Sequence, residues 1–142
     1  MMKQDKTAIL IKKIALEFDK LANAYLEQYD LTTSQYKVIK YVYSESENGV
    51  RIVDLEKYYS MTHPTAIGIV QNLEKKGLVT YAPNPNDARS RFIIPTEKAI
   101  EARSRLEGLG DSMDAELTKN LTEKEKTQLV SLLCKLINIP QD

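Results

Sequence analysis

The chain has 142 residues, with one cysteine, one histidine, no tryptophan, five glycines and five prolines. Cys134 alone cannot form an internal disulfide, which excludes a disulfide-stapled scaffold. A structural zinc site takes about four nitrogen or sulfur ligands, more than Cys134 and His63 can supply. Scarce glycine and proline leave few turn positions, so long helices are expected rather than many short strands. Net charge is zero, from 20 Lys+Arg and 20 Asp+Glu. Bulk charge thus offers no argument for nucleic-acid binding. At 42% hydrophobic and 28% charged residues, the composition is that of a folded protein rather than a disordered one. The longest run without Asp, Glu, Lys or Arg, Tyr58 to Leu73, is polar and broken by Pro64, so no membrane span is expected. The N-terminal segment holds no apolar stretch of signal-peptide length, and the cytoplasm is the expected compartment. No paired-carboxylate motif, glycine-rich phosphate loop or Ser/Cys–His arrangement is present, which argues against an enzyme. No cofactor is expected.

The apolar spacing in what remains is helical. Ile14, Phe18, Leu21 and Tyr25 fall on one face of a long helix expected over the first thirty residues. Ile9, Leu10, Ile11 and Leu16 give that helix apolar surface on other sides, and a partner chain is one candidate to cover it. Thr32 and Gln35 have capping-box spacing at the start of a second helix, which carries Tyr36, Ile39, Val42 and Tyr43 inward. The polar stretch ending in Asn48-Gly49 breaks it. A short third helix, Arg51 to Tyr59, precedes a fourth capped by Thr62, with Pro64 in its first turn and Ala66, Ile69, Val70 and Leu73 inward. Gly77 is placed to terminate that helix. Two short β segments, Leu78–Ala82 and Arg91–Pro95, flank a turn-rich loop and form a hairpin. Thr96 caps a long helix with Ile100, Leu106, Leu109, Met113 and Leu117. Thr122 and Glu125 start a last one with Leu129, Leu132, Leu133, Leu136 and Ile137.

The fold class expected is mainly α with a small β-hairpin wing. A helix, short helix, helix and hairpin in succession make the winged helix-turn-helix plan, in which the helix before the hairpin enters the DNA major groove. One domain is expected over residues 1–142, with a winged-helix lobe at 31–97 flanked by long helices at 1–30 and 98–142, which the resemblance described next implies are dimerisation helices.

Three stretches resemble the MarR family of winged-helix transcriptional regulators. Leu31-Thr32-x-x-Gln35-x-x-Val38-Ile39 is similar to that family's second-helix opening. Leu73-Glu74-Lys75-Lys76-Gly77-Leu78-Val79 is similar to its recognition-helix exit, a pattern shared with many winged helices. Asp87-Ala88-Arg89-Ser90-Arg91, followed by Thr96, resembles its wing signature and is the most specific of the three. The resemblance spans the whole chain and implies a homodimeric, sequence-specific regulator of transcription, most simply a repressor, on double-stranded DNA. The chain departs from the family pattern at Pro95 (usually aliphatic), Ala99 (usually Gly), Val53 (often a hydroxyl cap) and Gly68 (often Arg). The last departure leaves the recognition helix almost uncharged.

On that helix Thr62, His63, Thr65, Gly68 and Asn72 lie on the outer face. Hydroxyl, imidazole and carboxamide groups can hydrogen-bond base edges, and a threonine methyl can touch a thymine methyl. In the wing, Arg89 and Arg91 suit a narrow minor groove, and Asp87 is expected to hold the loop or orient an arginine. Cys134, amid leucines, reads as a buried structural thiol. Eight tyrosines are many for this length. The resemblance implies a small aromatic effector between the lobes, with Tyr25 and Tyr36 as candidate lining residues. Residues 61–92 carry four basic and two acidic side chains, whereas 93–142 carry seven and nine. The neutral total therefore hides a mildly positive wing region. The alternative reading is a winged-helix dimer that binds another protein and little DNA, motivated by the uncharged recognition helix.

Overall fold

A computed structural model describes residues 6–140. Helix α1 (Thr7–Leu26) runs into a 3-10 turn at Glu27–Tyr29. There follow α2 (Thr33–Glu45), α3 (Ile52–Tyr59), α4 (His63–Lys75), strands β1 (Val79–Ala82) and β2 (Phe92–Pro95), and helices α5 (Glu97–Leu117) and α6 (Glu123–Leu136). The element order matches the expected winged-helix plan. The start expected for the first helix, residues 1–5, lies outside the described residues. Its end comes earlier than expected, at Leu26, because Asp30 turns into the left-handed region at φ 53.

Helix α2 is the hub. The Thr32 hydroxyl accepts from Gln35 N at 3.1 Å, and Thr32 N donates to Gln35 Oε1 at 3.3 Å, so the capping box forms as expected. Tyr36, Val38, Ile39, Val42 and Tyr43 are buried against α1, α4, α5 and β2. Burying each such aliphatic side chain contributes roughly 1.5–3 kcal/mol. Two hydroxyls tie α2 to α5: Tyr36 donates to the Leu106 carbonyl at 2.5 Å, and Tyr43 donates to the Ala99 carbonyl. Burial pushes the Tyr43 phenol up to about 12, with nearby Glu107 adding to the shift, so it stays a donor.

Helix α4 ends as a Schellman turn. Gly77, at φ 75, donates to Glu74 O at 2.9 Å, and Leu78 N donates to Leu73 O at 3.0 Å. The chain then pairs Val79 with Pro95 through Ala82 with Phe92, antiparallel. Val50 adds an isolated bridge to β2, since its carbonyl accepts from Ile93 N at 2.7 Å. Gly49 before it has φ 79, and a Cβ there would stand 2.6 Å from the Phe92 ring, so only glycine fits.

Apolar spacing and burial part company in three helices. Ile14 is 53% exposed, and Phe18, Leu21 and Tyr25 are only half-buried; α1 buries Ala22 and Leu26 instead. In α5 the small Ala99 faces the core, while Ile100 and Leu117 face out. Helix α6 buries no residue: Leu129, Leu132, Leu133, Leu136 and Ile137 are all exposed, and Cys134 is half-exposed rather than buried. Among the described residues these side chains find no covering surface. An ion pair, Lys126 Nζ to Asp114 Oδ2 at 2.7 Å, links α6 to α5. Val53 is not a cap. Arg51 occupies that position, and its N–H donates to Asp54 Oδ2 at 2.9 Å. Among the described residues, no helix is long and apolar enough to cross a membrane.

Candidate nucleic-acid interface

Helix α4 presents its polar side because Ala66, Val70 and Leu73, wholly buried, hold the other side in the core. Thr62, His63, Thr65 and Asn72 are exposed, and Gly68 is half-buried. Thr62 caps the helix, accepting from Thr65 N at 3.4 Å and donating its hydroxyl to Thr65 Oγ1 at 2.9 Å. His63 is the first helical residue, and its Nδ1 lies 3.0 Å from Glu56 Oε2 on α3. That contact links the start of α4 to the preceding helix. A Cβ at Gly68 would meet nothing within 4 Å, so a longer side chain would project into open space there. From His63 to Leu73 the helix carries no Asp, Glu, Lys or Arg.

The wing tip is held by its own side chains. Asn84 Oδ1 accepts from Asn86 N at 2.9 Å, and Asp87 Oδ1 accepts from Arg89 N at 3.0 Å. Asp87 thus shapes the turn rather than pairing with an arginine head. Arg89 is exposed beyond it. Arg91 is also exposed, but its guanidinium carbon stacks 4.1 Å over the Tyr81 ring across the hairpin.

Between α3, α4 and the wing lies an open cleft of about 570 Å³, bordered by Arg51, His63, Ile67, Gln71, Arg89 and Arg91. Three arginines and one carboxylate, Glu56, line it, and Arg51 is paired with Asp54. The net positive sign suits a phosphate-bearing ligand. The structure brings His63, Arg89 and Arg91 together here. Thr62, Thr65, Gly68 and Asn72 do not line this cleft. Gln71 and Arg51 were missed. Gln71 falls two helical turns after His63 and shares its face, so a longer reading of the same wheel would have found it. Arg51 enters only through tertiary packing. Its guanidinium pairs with Asp54 at 3.1 Å, which raises its pKa, with a smaller contribution from Asp87.

A second cleft, about 700 Å³, opens between α1, α2, the end of α3 and α5; Phe18, Tyr36, Lys40, Tyr41, Tyr59 and Asp111 are among its walls. Of the two candidate lining residues, Tyr36 borders this cleft and Tyr25 does not. Tyr41, Tyr58 and Tyr59 cluster at its rim, with ring centroids 4.9 to 6.1 Å apart. Burial raises the Tyr59 phenol to about 12.

A helix-turn-helix completed by an arginine-bearing hairpin and flanked by long helices defines the winged-helix regulators. A model of the MarR family matches residues 29–90. The multiple antibiotic resistance protein MarR of Escherichia coli is 32% identical over 129 residues, covering 90% of this chain and 88% of that protein. A mutant of the same protein complexed with operator DNA superposes with TM-score 0.79 at 31% identity, covering 91% of each chain. The Staphylococcus aureus MepR–DNA complex gives TM-score 0.85 at 27% identity, over 95% of this chain and 98% of that one. The chain belongs to the MarR family.

Proposed function

We propose that this protein is a sequence-specific DNA-binding regulator of transcription, which acts as a homodimeric repressor on a pseudo-palindromic operator. The observation that carries this reading is the exposed, uncharged polar edge of α4 standing beside a wing whose Arg89 and Arg91 pair with no carboxylate among the described residues. Phosphate contacts from the wing position the protein, while hydroxyl and amide groups on α4 read base edges. The relatives crystallised with DNA support it. The lobe at 31–97 is the DNA-binding part, and the helices outside it form the dimer. The exposed leucines of α6 and the isoleucines of α1 supply the apolar surface a two-fold interface requires. The cleft between α1, α2 and α5 supports a responsive regulator, with a small aromatic effector stacking on its tyrosines.

Selection of bound sites from random DNA tests the reading. A two-fold symmetric motif with half-sites about one helical turn apart is expected. Absence of any enriched sequence would overturn it in favour of a protein-interaction module.

A further inference from the structure

The C-terminal end of α4 is gripped more firmly than a surface helix requires. Lys76 follows the last residue of the helix, yet its side chain is turned inward, only 28% exposed. Lysine ordinarily leaves its ammonium in water. Here the ammonium donates to the Asp30 carbonyl and, at 2.8 Å, to Gln35 Oε1. The Asp30 carboxylate is not the anchor: it is 3.8 Å away and 96% exposed. Asp30 sits in the left-handed region, which aspartate enters more readily than most residues, and this turn presents its carbonyl to the Lys76 ammonium. Gln35 is the one buried polar side chain among the described residues, and the same oxygen also accepts from Thr32 N. The α4 exit is held from the other side too. Lys98 Nζ donates to Lys76 O at 3.0 Å, and the Thr96 hydroxyl donates to Gly77 O at 2.5 Å.

Tyr36, next to Gln35, lines the interlobe cleft and donates to Leu106 O on α5. The first turn of α2 therefore holds α4 through Gln35 and α5 through Tyr36. The lever matters because α4 spans 13 residues, about 20 Å at ~1.5 Å per residue. A tilt of about 10° at the Lys76 end moves the Thr62 end by roughly 3.5 Å, close to the ~3.4 Å rise of one base pair.

We propose that Lys76 is a positioning residue, which through Gln35 and the Asp30 carbonyl fixes the tilt of the recognition helix relative to α1 and α5. It sets the half-site spacing the dimer accepts without touching DNA. This rests on the DNA-binding reading above.

The test uses the full chain, the selected operator, and a duplex with its central spacer lengthened by one base pair. Binding is followed by fluorescence anisotropy at several salt concentrations. Lys76→Met should lower operator affinity by about tenfold, the scale of one lost base contact. It should also erase the preference for the native spacer and leave the salt slope unchanged. Lys75→Met, which removes the same charge from an exposed neighbour outside the network, should keep that preference. Gln35→Glu, which retains both acceptor roles, should behave as wild type. Retention of the spacer preference in Lys76→Met would overturn the proposal. So would a salt slope reduced by about one per protomer, the mark of a phosphate contact. Should Lys76→Met not fold, Gln35→Met with Lys76 intact decides by the same spacer readout. An operator recovered with Lys76→Met behaving as wild type removes this inference alone, whereas no recovered motif removes the DNA-binding reading as well.

Discussion

Helices α4 and α6 are nearly the same length, 13 and 14 residues, and both carry apolar residues at helical spacing. Their fates differ. Helix α4 buries Ala66, Val70 and Leu73 completely, whereas α6 leaves Leu132 60% and Leu136 59% exposed. A stripe of leucines states that a face must be covered, not by what. In α4 the cover is the rest of the chain. In α6, and in the first half of α1, the proposed cover is a second copy. The middle of the chain, from Ala22 to Met113, thus supplies the buried core, whereas the outer helices present apolar faces to solvent.

The sharpest way to break this contrast is to charge the uncovered face. Leu132→Glu with Leu136→Glu should leave the circular dichroism spectrum nearly intact but convert the protein to monomer in analytical ultracentrifugation and abolish operator binding. A dimer that survives would remove the proposed cover. The complementary change, Leu73→Ala, strikes the covered face. It should lower unfolding free energy by about 2–5 kcal/mol, as loss of a buried leucine does, read by urea denaturation at fixed protein concentration. Equal costs for a single Leu136→Ala under monomeric conditions would erase the distinction between the two helices.

The wing offers a smaller effect of a different kind. Arg89→Ala with Arg91→Ala should weaken DNA binding by roughly ten- to a hundredfold and flatten the salt dependence by about two phosphates per protomer. Stability should change little, since both side chains are exposed. Unchanged salt dependence would mean that the wing does not meet the backbone.

The smallest effect is alkaline. The Tyr43 phenol is raised in the folded state from 10.0 to about 12 by burial. The folded protein therefore holds this proton where the unfolded chain has lost it, so the contribution is fully present below about pH 10 and is lost as pH rises through about 12. Tyr43→Phe should flatten that part of the stability-against-pH curve, and an identical slope in the variant would remove Tyr43 as its cause.

Local signals in the sequence were legible where the physics is local. The capping residues Thr32, Thr62, Thr96 and Thr122 and the helix-ending Gly77 stand where their chemistry predicts, because each acts within a few residues of itself. The Arg51 cap escaped notice because its partner Asp54, not its own residue type, does the capping. Burial does not follow side-chain size: Ile100 is 58% exposed, while the adjacent Ala99, whose carbonyl accepts from the Tyr43 hydroxyl, is buried. The outer face opposite Ala66, Ile69, Val70 and Leu73 includes His63, which lines the cleft beside the wing, and leaves out Gln71, which lines it as well. The family resemblance, not a local pattern, points to the effector cleft and to Tyr25 and Tyr36 as its lining. Tyr36 lies on its wall, Tyr25 does not, and Tyr41 and Tyr59 take part because α3 packs beside α2, a contact that no local pattern encodes.

The central claim is that the uncovered helices pair two copies so that two recognition helices meet one DNA duplex. Native mass measurement of the protein with a duplex carrying the selected motif tests it most directly. The account predicts two chains on one duplex and no stable complex with a duplex cut to a single half-site. One chain bound per duplex, with equal affinity for the half-site alone, would contradict it.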